Sequence, residues 1–123
     1  MPTNASLPCC APKPVLLKRP LIDDVLSAEL ATVFKVLAND TRLRLLHALA
    51  RSEELSVTEL AGAVGMKPQA VSNQLQRLAD RSIVASRRES TNIHYRIIDP
   101  CVLELLDRAL CLTEDARERR RKP

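Results

Sequence analysis

From Asp23 onward, apolar residues return at helical intervals. Leu26, Leu30, Val33 and Leu37 are spaced by three and four, a narrow seam suited to pairing with another helix. The stretch ANDTRLRLLHALA starts a second helix, capped by Asn39 or Asp40, with Leu43, Leu46 and Ala50 on one face. In SVTELAGAVG, Ser56 and Glu59 have the S-x-x-E spacing of a capping box, in which each side chain satisfies the other residue's backbone N–H. Leu60, Ala61 and Val64 face inward, and Gly65 stops this short helix. After a turn at Met66-Lys67, Pro68 takes the first position of a fourth helix, where its missing N–H costs nothing. Val71, Leu75 and Leu78 form the buried stripe of that helix. Two β-leaning runs follow, IVASRR (83–88) and IHYRII (93–98), joined by ESTN, where Asn92 can take a positive φ. Asp99-Pro100 then starts an apolar helix from Cys101 to about Thr113.

The resulting order, α-α-α-α-β-β-α, is mainly α with a β-hairpin. Two short helices joined by the tight turn VGMKP make a helix-turn-helix, and the hairpin directly after it makes the unit winged. The fourth helix exposes Gln69, Ser72, Asn73 and Gln76 opposite its apolar stripe, with Arg77 further along. Glutamine and asparagine can pair with adenine edges, serine can donate or accept at several bases, and arginine suits phosphate. On the hairpin, Arg87, Arg88, His94 and Arg96 place positive charge where a wing would meet phosphates or the minor groove.

Charge distribution supports this reading. The net charge of +4 is carried by the ends of the chain, Lys13, Lys18 and Arg19 at one and RERRRKP at the other. Residues 23–116 hold 11 basic against 14 acidic side chains, yet 67–96 reverse the sign with Lys67, Arg77, Arg81, Arg87, Arg88 and Arg96 against Asp80 and Glu89. A local basic patch on an acidic body suits a polyanion, here double-stranded DNA. The domain reading is a Pro- and Cys-containing head at 1–21, a DNA-binding and dimerisation domain at 22–115, and a basic tail at 116–123. With 123 residues, two glycines and Phe34 and Tyr95 as the only large aromatics, one small aliphatic core is expected. No run approaches a membrane span or a signal peptide, so a cytoplasmic protein without a membrane partner is expected. There is no nucleophile–base set, Gly-rich loop or carboxylate pair to support an enzyme.

The stretches VFKVLANDTRLRLLHAL and ELSVTELAGAVGMKPQAVSNQLQRLADRSIVASRRESTNIHYRI resemble the ArsR/SmtB family of bacterial winged-helix repressors. The resemblance spans about residues 25–115. Its specific parts are LxxDTRLRLL, VSNQLQRL and the hairpin ending HYRI. It implies a homodimer built on the first and last helices, and operator DNA released when a metal or metalloid binds. The chain departs from the family at both usual inducer sites. Where many members carry ELCVCDL, this chain reads ELSVTEL, with Ser56 and Thr58 in place of the two cysteine ligands. At the last-helix pattern of D-x-H and H-x-x-E, Asp99 matches and Asp115 is conservative, but Cys101 and Leu112 replace the two histidines. Lys67 also replaces the usual serine cap of the recognition helix.

Four cysteines lie elsewhere. Cys9 and Cys10 sit in SLPCCAPKP, where three prolines forbid a helix or central strand and nothing nearby offers a core to bury them. Cys101 falls at the start of the last helix, where the positive dipole end favours a thiolate, and Cys111 falls on its polar side. Ten residues of helix separate the two by roughly 15 Å, so each needs partners from elsewhere. The expected inducer site joins Cys9 and Cys10 to Cys101 or Cys111. His47 and His94 form no imidazole cluster, and soft thiolates select soft ions: As(III), Cd(II), Pb(II) or Hg(II). Two other readings use the same cysteines, a redox- or sulfide-responsive repressor and cysteines without a sensing role. A winged helix used only for protein contacts is a further alternative.

Overall fold

The computed structural model describes residues 13–121. The chain falls into two compact units, one of them Pro12–Ile98 and the other containing the last helix. In the larger unit, a 3-10 turn at Leu16–Lys18 precedes α1 (Asp24–Leu37), α2 (Asp40–Ser52), β1 (Glu54–Ser56), α3 (Val57–Val64), α4 (Pro68–Asp80), β2 (Val84–Glu89) and β3 (Asn92–Ile97). The other unit contains α5 (Pro100–Arg121).

Helix starts follow from side chains that accept orphan N–H groups. Asp23 accepts from Leu26 N at 2.8 Å, and Asn39 accepts from Arg42 N at 3.0 Å. Asn39 rather than Asp40 is therefore the cap of α2. Leu45, Leu46 and Leu49 of α2, Leu60 of α3 and Val71, Leu75 and Leu78 of α4 form a closed aliphatic core. The stripes expected for α3 and α4 are the buried ones. That of α2 is turned: Leu45, Leu46 and Leu49 go inward, while Leu43 is 37% exposed. Leucines at 43, 45, 46 and 49 offer two overlapping faces, and packing against α3 and α4 selects between them.

The sheet has three antiparallel strands in the order β1-β3-β2. The pattern did not predict β1, because three residues are too few to show a period. Leu55 pairs with Tyr95 and Ser86 with Tyr95, so one sheet face carries Leu55, Tyr95 and Val84. The other carries Glu54, Ser56, His94, Arg96 and Arg87. The positive φ of the hairpin falls on Ser90, at 61°, rather than on Asn92, which already belongs to β3. A positive angle at the first of two loop residues matches the twist of the strands.

The last helix runs to Arg121, well past Thr113. TEDARERRR is rich in helix formers, and Arg119, Arg120 and Arg121 sit where the negative dipole end favours cations. Val102 is its one buried residue. By contrast with the core, α1 leaves Leu26, Leu30 and Phe34 between 43% and 48% exposed, and α5 leaves Leu110 and Leu112 exposed. Leu105 and Leu106 are half-buried and Ala109 is exposed. No helix among the described residues is long and apolar enough to cross a membrane.

Candidate nucleic-acid interface and thiol sites

The capping box of α3 is complete. Ser56 Oγ accepts from Glu59 N at 3.0 Å, and Glu59 Oε1 accepts from Ser56 N at 2.9 Å. The hydrogen bonds from Ser56 hold the Glu59 carboxyl below its usual range. Ser56 is thus committed to starting the helix. Gly65 ends α3 at φ 70°, and Met66 N donates to Ala61 O at 3.0 Å, which turns the chain sharply into α4. Lys67 precedes α4 with no side-chain cap, leaving Pro68 to open the helix.

This turn aims the outer face of α4 at solvent. Gln69, Asn73, Gln76 and Arg77 are exposed and Ser72 is half-buried, all opposite the buried stripe. The amides are already ordered: Gln69 Nε2 donates to Asn73 Oδ1 at 3.1 Å, and Gln76 Nε2 to Asp80 Oδ1 at 3.0 Å. These exposed bonds, each between residues four apart, can be exchanged for base edges with the side chains held near a usable orientation. Beside them, a cleft of about 220 Å³ opens between the first turns of α3 and α4 and the wing tip. Thr58, Thr91 and Asn92 line it with Gln69 and Ser72. The first three belong to this face only because the sheet brings the wing tip to α3, which sequence spacing cannot reveal.

On the wing, the two adjacent arginines of β2 differ. Arg87 shares a sheet face with Glu54 and binds it with both Nε and Nη2, at 2.6–3.0 Å, while Nη1 reaches Glu89 at 2.9 Å. The paired guanidinium pulls the Glu54 carboxyl below its usual range, and the two carboxylates push the Arg87 pKa up. His94, half-buried, lies 3.8 Å from Glu89. Arg88 points to the opposite face, is exposed, and has no ion-pair partner among the described residues. Arg87 therefore fastens the wing to β1, whereas Arg88, like Arg96 on β3, is exposed and outside any ion pair among the described residues.

The expected thiol ligands fall in different settings. Cys9 and Cys10 lie outside the described residues. Cys101 is the second residue of α5. Its N–H donates to Asp99 Oδ1 at 3.0 Å, and its sulfur is in a disulfide. Cys111 is a free, exposed thiol with Sγ 3.7 Å from Asp115 Oδ2. No group of three or more His, Cys, Asp or Glu among the described residues could hold a metal ion.

A helix-turn-helix domain model matches residues 37–87, which span α2, α3, α4 and the start of the wing. Over 108 residues the chain is 37% identical to the transcriptional repressor SmtB homolog of Synechocystis, covering 83% of this chain and 81% of that one. Among solved structures, the AntR antimony-specific transcriptional repressor shares 64% identity with a TM-score of 0.76, over 89% of this chain and 98% of that one. A homodimeric winged helix-turn-helix DNA-binding domain from Mycobacterium bovis shares 33% identity with a TM-score of 0.69, over 82% and 95% of the two chains. These likenesses span the helix-turn-helix, the wing and most of the flanking helices, and place the chain among DNA-binding regulators rather than enzymes. The chain belongs to the ArsR/SmtB family of winged-helix, metal-responsive transcriptional repressors.

Proposed function

We propose that this protein is a homodimeric repressor that releases its operator when cysteine thiolates capture a trivalent metalloid, antimony(III) or its lighter congener As(III). The observation that carries the inducer is the 64% identity to an antimony-specific repressor over 89% of the chain. The donors fit that chemistry. Three soft thiolates suit a trivalent ion with a lone pair, whereas zinc-like ions would call on imidazoles and carboxylates that do not cluster among the described residues. Sb(III) lies outside the set As(III), Cd(II), Pb(II) and Hg(II) expected from the cysteines alone, but it shares with As(III) the preference for three sulfurs. Cys101 and Cys111, ten residues apart on α5, sit too far apart to hold one ion within a single helix. In this reading, Cys101 or Cys111 completes a site begun by Cys9 and Cys10, within one subunit or across the dimer.

The exposed apolar faces of α1 and α5 support the dimer, since a chain this small gains little by leaving them in water. Two copies of α4 would then meet successive major grooves, with Gln69, Ser72 and Asn73 reading bases, Gln76 and Arg77 supporting them, and Arg88 on phosphate. His94 and Arg87 act behind them by shaping the wing.

The test is fluorescence anisotropy of operator DNA under reducing conditions, titrated with Sb(III), As(III), Cd(II), Pb(II), Hg(II) and Zn(II). Sb(III) and As(III) release the DNA at the lowest concentrations. Release by Zn(II) at equal concentration, or undiminished Sb(III) release from a Cys9→Ser/Cys10→Ser/Cys101→Ser variant, overturns the assignment. The disulfide at Cys101 supports a second reading, a thiol-redox repressor, which requires release by peroxide with no metalloid present.

A further inference from the structure

Arg42, in the first turn of α2, touches two other helices. Its N–H is held by Asn39 Oδ1 at 3.0 Å. Its Nε donates to the carbonyl of Val36 at 2.6 Å, and Nη1 donates to Gln74 Oε1 at 2.8 Å. Val36 lies in the last turn of α1 and Gln74 in the middle of α4. Arg42, on α2, is thus hydrogen-bonded to both α1 and α4.

We propose that Arg42 is a positioning residue through which a displacement of α1 reaches the recognition helix. The guanidinium is planar, so the directions of its Nε and Nη1 donors are fixed relative to each other. Gripping the Val36 carbonyl with one and the Gln74 amide with the other sets the end of α1 relative to α4. Both bonds are charge-assisted and half-buried, which makes them short and hard to replace by water. The carbonyl end of α1 also carries negative partial charge, which favours a cation there. Gln74 flanks the reading face, one residue from Asn73, so a pull on Gln74 turns that face. On its exposed side α1 carries Leu26, Leu30 and Phe34, the surface on which a second subunit would act. A shift of α1 at that surface therefore has a hydrogen-bonded path to α4 through one side chain. Lysine cannot substitute, because a single ammonium lacks the fork.

This inference rests on the operator-binding reading, and its experiment separates the two. Operator and unrelated duplexes are titrated by anisotropy with wild type, Arg42→Lys, Arg42→Met, Gln74→Met and the Arg42→Met/Gln74→Met double variant, beside thermal unfolding of each. Arg42→Met and Gln74→Met each lower operator affinity about tenfold, since both break the charge-assisted Arg42–Gln74 bond, and leave affinity for unrelated DNA unchanged. The double variant is no worse than Arg42→Met alone, and Arg42→Lys folds but shows the same loss of preference. Additive losses in the double variant, or an unchanged operator preference alongside a lowered Tm, overturn the inference. If Arg42→Met fails to fold, Gln74→Met at its half-exposed position carries the same test by its operator preference. A wild type that prefers no sequence overturns the repressor reading and this inference together.

Discussion

The helices α2, α3 and α4 and those on either side of them in sequence, α1 and α5, are built to different standards. In α2, α3 and α4, Leu45, Leu46, Leu60, Val71, Leu75 and Leu78 are wholly removed from water, and each helix starts on a capping side chain or a proline. In α1 and α5 the apolar residues stay largely exposed, with Leu37 and Val102 the buried exceptions. One chain closes the part that holds the α4 amides and leaves apolar residues in water on α1 and α5, the helices proposed to carry the dimer surface. On the proposed function, an inducer bound at the cysteines need not unfold α2–α4, and only has to change how two copies present α4.

Breaking the contrast from the core side gives the largest effect. Leu75→Ala should destabilise the fold by about 2–5 kcal/mol, as buried leucine truncations do, read by chemical denaturation. Leu110→Ala, on the exposed side of α5, should stay within about 0.5 kcal/mol in the same measurement unless the dimer buries it. A difference in the opposite order would remove the distinction between the two regions.

Breaking it from the outer side should separate folding from assembly. Leu30→Glu with Phe34→Glu should leave helix content intact and convert the protein to monomers in sedimentation. Operator affinity should then fall by about 100-fold or more, because two linked half-site contacts become one. A dimer that survives both changes would place the interface elsewhere.

Within the reading part, Asn73→Ala should reduce discrimination by about 1–3 kcal/mol if it makes a bidentate base contact. Competition between operator and single-base variants measures this. The wing sharpens the comparison further. Arg88→Ala should reduce the salt slope of DNA binding by about one, the signature of one lost phosphate contact. Arg87→Ala should loosen the wing and change that slope less, since its guanidinium is already held by Glu54 and Glu89. Equal slope changes in the two variants would show that both reach phosphate.

The smallest effect is acid sensitivity of the wing. Glu54 is held below its usual value of 4.5 by Arg87, so the pair's contribution is fully present above pH 4.5. It is lost as pH falls through the lower folded-state value. Carboxyl NMR should show Glu54 titrating below its usual range, and Arg87→Ala should move it back toward that range.

Local sequence chemistry determined most of the elements. S-x-x-E, Gly65 and Pro68 bound α3 and α4, and the spacing of Val71, Leu75 and Leu78 both buries one side of α4 and leaves its amides outside. Those signals act within a few residues, so they can be read in order along the chain. The tertiary structure decided what depends on distant partners. It chose between the two leucine faces of α2, and it paired the three residues of β1 with β3. It gave Arg87, a candidate phosphate ligand, a carboxylate partner by bringing Glu54 to it across 33 residues. It also placed Thr58, Thr91 and Asn92 on the same cleft as Gln69. None of these has a period or a local motif. Each is a contact made only once the core has closed, and the energy that closes it comes from burying leucines that many other contact patterns could bury equally well.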